Sequence, residues 1–436
     1  MINLEGGSRG ASERIGTAEV AERLGVKPET VYAYVSRGLL HSERGPRGST
    51  FDRDEVERVA RTTRRAEQAA RTARELSFLT RVTLIEDGRL LFRGRDALEL
   101  SRTRTFEEVA WYLWTGALVA QAPWHAPEAV LRVSRAAVAG LGKLGMPIDR
   151  LRVAVAAAAA ADPLRHDRTD AAVTLKGRSL LAVMVDSLAP APTAAPAPSA
   201  PARSTAPPAP TAPVTSTAQP APTAPPAGDR LATRLWGRLS GTSPEAERLG
   251  LLEAALVLIA DHELAASTLA ARLAASFWAD PYSVVGAGLG PAGGPLHSGA
   301  AGEVRDLLAE AAASGPEQAV GRLLDRDRPL PGFGLPLYPG GDPRARELLR
   351  RLFDAGIDPD RSAVIRHVLA LGERRGSPPP NVDFALGALE WGQDMVPGAG
   401  HAIFVIGRTA GWLAHAIEEY RERSVFRVRA TYLGPR

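Results

Sequence analysis

An arginine delivered by a shaped loop is the first chemical feature of this chain. Residues 331–346 read PGFGLPLYPGGDPRAR, and the glycines and prolines around Leu335 forbid regular structure there. Asp342-Pro343 then reads as an N-cap followed by proline in the first turn, so a helix carrying Arg344 opens at that point. A loop that runs into a helix start and presents a guanidinium suits an anion site, although the same pattern describes an ordinary surface turn. Other side chains with chemical capacity follow a similar layout. His262 lies in LIADHELAASTLAARLAAS (258–276), which reads as helix-forming. His297 lies in GGPLHSGAAGEV (293–304), between a Gly/Pro loop and a helix start. Asp383 lies in PPPNVDFALG (378–387), and Arg408 and Arg427 fall in the C-terminal stretch 406–434. Each has a plain structural reading as well: His262 as a satisfied core histidine of a helix, Asp383 as the end of a Pro-rich loop, Arg408 as a buried salt-bridge partner.

Composition narrows the chemistry. The 436 residues suffice for two or three domains and a sizeable core. There are no cysteines, which excludes disulfides, thiolate nucleophiles and cysteine-ligated zinc, and no metal site is expected. No run of 18 apolar residues and no charged-then-apolar leader is visible, so a cytoplasmic protein without a membrane partner is expected. The net charge of +4 is too modest to mark a nucleic-acid binder, and the cations are nearly all arginine, the lysines being Lys27, Lys143 and Lys176.

The elements that must position these residues are mainly helical, with neither βαβ alternation nor a glycine-rich nucleotide loop after a strand. Near the N-terminus, Thr17 reads as an N-cap and Val20, Ala21 and Leu24 as one helical face. Gly25 reads as a turn, and Pro28 as the start of a second helix with Val31, Val35 and Leu39 as its buried stripe. That second helix is expected to expose Glu29, Thr30, Ala33 and Ser36, with Arg37 its only cation. HSERGPRGSTF then reads as a Gly/Pro hairpin holding Arg44 and Arg47, with Arg53 just beyond, before a third helix. Residues 14–60 resemble the small winged helix-turn-helix domains of the MerR and excisionase type. Phosphate contacts to DNA would come mainly from Arg37, Arg44 and Arg47. A helical connector is expected over 61–76. A hairpin around Asp87-Gly88 follows, then a capped helix with Phe106, Val109, Ala110, Leu113 and Trp114 on its apolar side. Residues 189–228, almost purely Ala, Pro, Thr and Ser, cannot bury a core and read as a disordered insertion.

From residue 77 to the end, minus the insertion, the chain resembles the citrate synthases in motif order and approximate spacing. The entry is a hairpin with D-G, then R-G, then F-E-E-V-A-x-x-L-x-x-G. The loop at 331–346 is similar to the family's G-F-G-H-x-x-Y…D-P-R-A segment. The resemblance implies a two-domain helical fold, with residues 297–390 as a small mobile subdomain. It also implies condensation of acetyl-CoA or propionyl-CoA with oxaloacetate, with no cofactor beyond the CoA co-substrate. By that resemblance Asp383 is the base and His297 stabilises the enolate. His262 hydrogen-bonds oxaloacetate, while Arg344, Arg408 and Arg427 clamp its carboxylates, the last reaching into the partner's site of a homodimer. The residue types suit that chemistry. A carboxylate removes the proton, a neutral imidazole holds the developing oxyanion, and planar guanidiniums grip carboxylates bidentately.

One position breaks the pattern. Leu335 stands where the family has the histidine that polarises the oxaloacetate carbonyl. Losing one such donor typically costs about 10²–10³ in rate, or about 3–4 kcal/mol. Smaller departures are Ser298, Ala301 and Val428, where the family favours glycine, asparagine and proline. His401, two helical turns before Arg408, is a candidate to compensate, although two turns span about 10 Å. The expectations are therefore a slowed acyltransferase, or else a degenerate ligand-sensing DNA-binding regulator, or an inactive partner of a true citrate synthase.

Overall fold

The computed structural model describes residues 13–36, 39–45, 48–60, 78–142, 145–192, 230–243, 245–294, 299–325, 328–423 and 426. The expected connector (61–76) and nearly all of the expected insertion (from 193) lie outside the described residues. The chain divides into two compact units, Met1–Leu79 and Thr80–Arg436.

The first unit holds β1 (Arg14–Gly16), α1 (Thr17–Leu24), α2 (Pro28–Ser36), β2 (Ser42–Gly45), β3 (Gly48–Asp52) and α3 (53–60). Its antiparallel sheet runs β1-β3-β2, so the hairpin expected at 41–51 gains a third strand. Val20, Ala21 and Leu24 are buried as expected, around Ile15, Val31, Phe51 and Val56. Two details differ. Gly16, not Thr17, caps α1 and contributes no side-chain bond, because Thr17 already has helical geometry. Leu39 is 51% exposed and Leu40 fills the core instead, since α2 ends at Ser36, short of Leu39. Thr30 is half-buried rather than exposed, and the side chains of Glu29, Ala33 and Ser36 lie outside the described set.

The second unit opens with the sheet β4 (Thr83–Glu86), β5 (Arg89–Phe92) and β6 (Arg95–Asp96). Asp87 and Gly88 both take positive φ in the two-residue turn, the geometry that Asp-Gly favours. Helices then follow: α4 (Ala97–Thr103), α5 (Phe106–Thr115), α6 (Glu128–Ala139), α7 (Pro147–Ala161), α8 (Asp170–Asp186), α9 (Leu231–Leu239) and α10 (Ala246–Ile259). The chain continues through α11 (Ala266–Ser276), α12 (Pro281–Ala292), α13 (Ala300–Ser314), α14 (Pro316–Leu324), α15 (Pro343–Asp354), α16 (Pro359–Arg374), α17 (Val382–Gly392) and α18 (Ala399–Glu422). Thr105 caps α5 in a full capping box with Glu108.

Helix α18 is the axis of this unit. It is buried from Ala399 to Tyr420, His401 alone being half-buried, and packs against α5, α7, α8, α10, α11, α12, α13 and α17. Gly407 and Gly411, four residues apart on one face, let it approach the end of α10 and the segment beyond. A Cβ on Gly411 would lie 2.2 Å from Asp261 Oδ1 and 2.5 Å from the Ala260 oxygen. Its buried C-terminal half carries Glu418 and Glu419, both paired with Arg272, and His415, which bridges to Asp261.

Candidate active site

The loops 262–265 and 329–337, with residues at the starts of α11, α13, α15 and α17 and on α18, build one cavity of about 770 Å³ in the second unit. The second loop is the one with the shaped sequence. Gly332, Gly334 and Gly341 all have φ between 75° and 99°, so glycine is required at each. The loop is fastened to the segment ahead of α17: Gly334 N–H donates to the Pro379 oxygen at 2.8 Å and Asn381 N–H to the Gly332 oxygen at 2.8 Å. Asn381 Nδ2 adds a bond of 2.9 Å to the Gly334 oxygen. Its Oδ1 caps α17 by accepting from Asp383 N–H at 3.0 Å.

Asp342 is the junction of the site. It caps α15 by accepting the Arg344 amide at 3.0 Å and grips the Arg344 guanidinium bidentately at 3.0 and 2.8 Å. It also accepts the Val382 amide at 3.0 Å, tying α15 to the start of α17. Both partners are buried. Burial opposes the Arg344 charge, but Asp342 more than offsets it and the guanidinium stays protonated with its pKa raised.

Arg408 enters from the middle of α18 and is 1% exposed. Its Nε donates to the Ile259 oxygen at 2.7 Å, and its guanidinium lies 4.8 Å from the Phe404 ring centroid. Its buried Nη1 has no partner among the described residues, an open donor in a cavity wall. Burial lowers its pKa to about 10, with Asp261 opposing that shift, so it remains a cation at neutral pH.

Asp383, in the first turn of α17, faces the same cavity, and its buried Oδ1 has no hydrogen-bond partner among the described residues. Burial pushes its carboxyl up to about 6, against the pull of Arg344 and Arg408. It is ionised at neutral pH, yet more basic than an ordinary carboxylate.

His262 corrects an expectation. It does not lie in a helix: α10 ends at Ile259, Glu263 takes φ 55°, and α11 begins only at Ala266. The break follows from the close approach of α18, whose Gly411 amide bonds the Ala260 oxygen at 2.9 Å. In this interhelical loop His262 is buried and bonds the Tyr338 hydroxyl through Nε2 at 3.0 Å. Burial, then Arg344 and Arg408, hold its pKa well below the usual value, so the ring is neutral.

The cavity thus brings together His262, Arg344, Asp383 and Arg408, with Leu335 in its wall. His297 and Arg427 lie outside the described residues, as do Ser298, Val428, Arg37 and Arg47. Arg44 is exposed on β2, whereas Arg53 is ion-paired with Glu13. His401 bonds the Ala292 oxygen at 2.9 Å and does not line the cavity, so it does not compensate for Leu335. Sequence reasoning missed the Asp342 clamp and Tyr338. The signal was present for both: an acid two residues before Arg344, and an aromatic three residues after Leu335.

The helical unit has the citrate synthase fold. It superimposes with a TM-score of 0.61 and 21% identity on a citrate synthase from Thermoplasma acidophilum solved with carboxymethyl coenzyme A and oxaloacetate, covering 82% of this chain and 94% of that one. A model of the citrate synthase C-terminal domain matches residues 73–429, and a helix-turn-helix model matches residues 15–64. The citrate synthase of Haloferax volcanii is 30% identical over 366 residues, 80% of this chain and 90% of the relative. Citrate synthase 2 of Bacillus subtilis is 33% identical over 201 residues. That match covers 45% of this chain and 54% of the relative, so it spans about half of that protein's length. The chain belongs to the citrate synthase family, with a helix-turn-helix domain at its N-terminal end.

Proposed function

We propose that the protein condenses acetyl-CoA or propionyl-CoA with oxaloacetate, forming citrate or 2-methylcitrate, at a rate held down by Leu335. The observation that carries this reading is the convergence of two buried guanidiniums and one unpartnered carboxyl on a single cavity. Arg344 and Arg408 bind the carboxylates of the oxo acid, and neutral His262 adds a hydrogen bond. Asp383 removes the methyl proton of the acyl thioester, its raised pKa suiting it to a base near neutrality. His297 stabilises the enolate and Arg427 completes the clamp from a partner subunit, roles that rest on the family resemblance. No cofactor beyond the CoA co-substrate is needed.

A homodimer fits the surface. Leu269 and Leu273 on α11, and Phe277 and Trp278 just beyond it, are 37–62% exposed, and Leu164 and Leu175 are 70% and 60% exposed. No helix among the described residues is long and apolar enough to cross a membrane. Action in the cytoplasm is part of the same reading.

The test is thiol release from acetyl-CoA with oxaloacetate, measured for the natural protein and for Leu335→His. Slow turnover rising by about 10²–10³ in the variant is the expected result. No turnover by either protein, with retained oxaloacetate binding and a salt-dependent DNA shift, would replace this reading with a ligand-sensing regulator.

A further inference from the structure

Leucine at 335 removes a neutral donor from the cavity wall, and the same loop carries a second polar group three residues on. Tyr338 is 2% exposed, and its amide is held by the Leu335 oxygen at 2.9 Å, so the phenol has little freedom. Its hydroxyl meets His262 Nε2 at 3.0 Å, and its ring lies 5.8 Å from the Arg344 guanidinium. His262 lines the cavity, and its Nδ1 has no hydrogen-bond partner among the described residues.

Two arrangements of one proton satisfy this pair. Either Nε2–H donates to the phenol oxygen and Nδ1 offers a lone pair, or the phenol donates to Nε2 and Nδ1 carries the hydrogen. Both groups are neutral near pH 7: burial lowers the His262 pKa and raises that of Tyr338 to about 12. Arg408 offers an unpartnered Nη1 to the cavity beside Arg344, whose charge Asp342 balances, so an anion is best held at Arg408. A lone pair aimed at an anion repels it, whereas an N–H attracts it.

We propose that Tyr338 is a positioning residue whose hydroxyl donates to His262 Nε2, fixing the ring proton on Nδ1 as the neutral donor that serves the substrate oxygen in place of the absent group at 335. No proton changes hands. The imidazole N–H holds the oxygen on which negative charge grows, and the phenol keeps the tautomer correct while a carboxylate and two guanidiniums surround it. This rests on the oxo-acid reading of the cavity, but its central claim concerns the tautomer and can be read without turnover.

The deciding measurement is nitrogen-15 NMR of the histidine rings in the natural full-length protein, with His262 assigned by His262→Gln. An Nδ1–H tautomer, unchanged or strengthened on adding oxaloacetate, is the expected result, and an Nε2–H tautomer overturns the proposal. Tyr338→Phe is then expected to move the ring to Nε2–H, to lower kcat about 10-fold or more and to weaken oxaloacetate binding, because a lone pair then faces the anion. A Tyr338→Phe protein that keeps both tautomer and kcat also overturns it. Failure of oxaloacetate to bind the natural protein would overturn the oxo-acid reading instead, while the tautomer of the ligand-free ring would still decide the role of Tyr338.

Discussion

At the scale of single residues, the site is a set of charges held where water would otherwise neutralise them. Asp383 shows the cost. Its pKa is raised to about 6, above the unfolded value of about 3.9, so its contribution to stability is full below the unfolded value and is lost as pH rises through about 6. Asp383→Asn is therefore expected to abolish turnover while raising the melting temperature at pH 8. At pH 4 the two proteins should melt alike, and a variant no more stable at pH 8 would contradict the raised pKa. In the natural protein, kcat/KM should fall about tenfold per unit as pH drops below about 6. Much of this residue set was legible in the sequence, because His262, Arg344, Asp383 and Arg408 are separated by loops and helix starts that constrain their neighbours. Their partners were not. That Asp342 pairs with Arg344 depends on a rotamer, and that His262 leaves its helix depends on a glycine face of α18 that is remote from it in sequence.

At the scale of elements, the loop ahead of α15 and the start of α17 act as one piece. A Cβ on Gly332 would meet the Phe384 Cβ at 2.7 Å and its backbone nitrogen at 2.8 Å, at a φ of 75° that disfavours any side chain. Gly332→Ala should cost about 1–3 kcal/mol in chemical denaturation and weaken oxaloacetate binding with it. Asp342→Ala strips a buried guanidinium of its counter-ion as well as uncapping α15, and should cost about 3–5 kcal/mol in the same measurement. Asp342 as N-cap and the proline after it were readable from local chemistry alone. The bond from Val382 to the same carboxylate was not, because it joins elements 40 residues apart. A second carboxyl, that of half-buried Glu253, behaves in the same way. Burial and the neighbouring Glu107 push Glu253 up to about 8, where it accepts the Phe106 amide at the head of α5. The sign is the same as for Asp383, so Glu253→Gln is expected to protect the fold above pH 8 and to change little at pH 5, read by thermal melts.

At the scale of the whole molecule, the mainly helical architecture was legible from pattern and motif order, since amphipathic helices and capped starts are local signals. The third strand of the N-terminal sheet was not, because three residues at Arg14–Gly16 carry no period of their own and are strands only by pairing with β3. The apolar surface on and just after α11 makes a prediction at this scale: Leu273→Arg should yield a monomer by light scattering. If the subunits share sites as the family resemblance implies, that monomer should lose turnover although it folds.

The Asp342 carboxylate has one more consequence. It accepts two backbone amides: that of Arg344 within the cap of α15 itself, and that of Val382, a bond that exists only when α15 and α17 are docked together. Deuterium uptake at the Val382 amide therefore counts the fraction of molecules whose anion clamp is assembled at any moment. A ligand that needs the clamp must slow exchange at that amide, giving a gauge of occupancy that requires no catalysis.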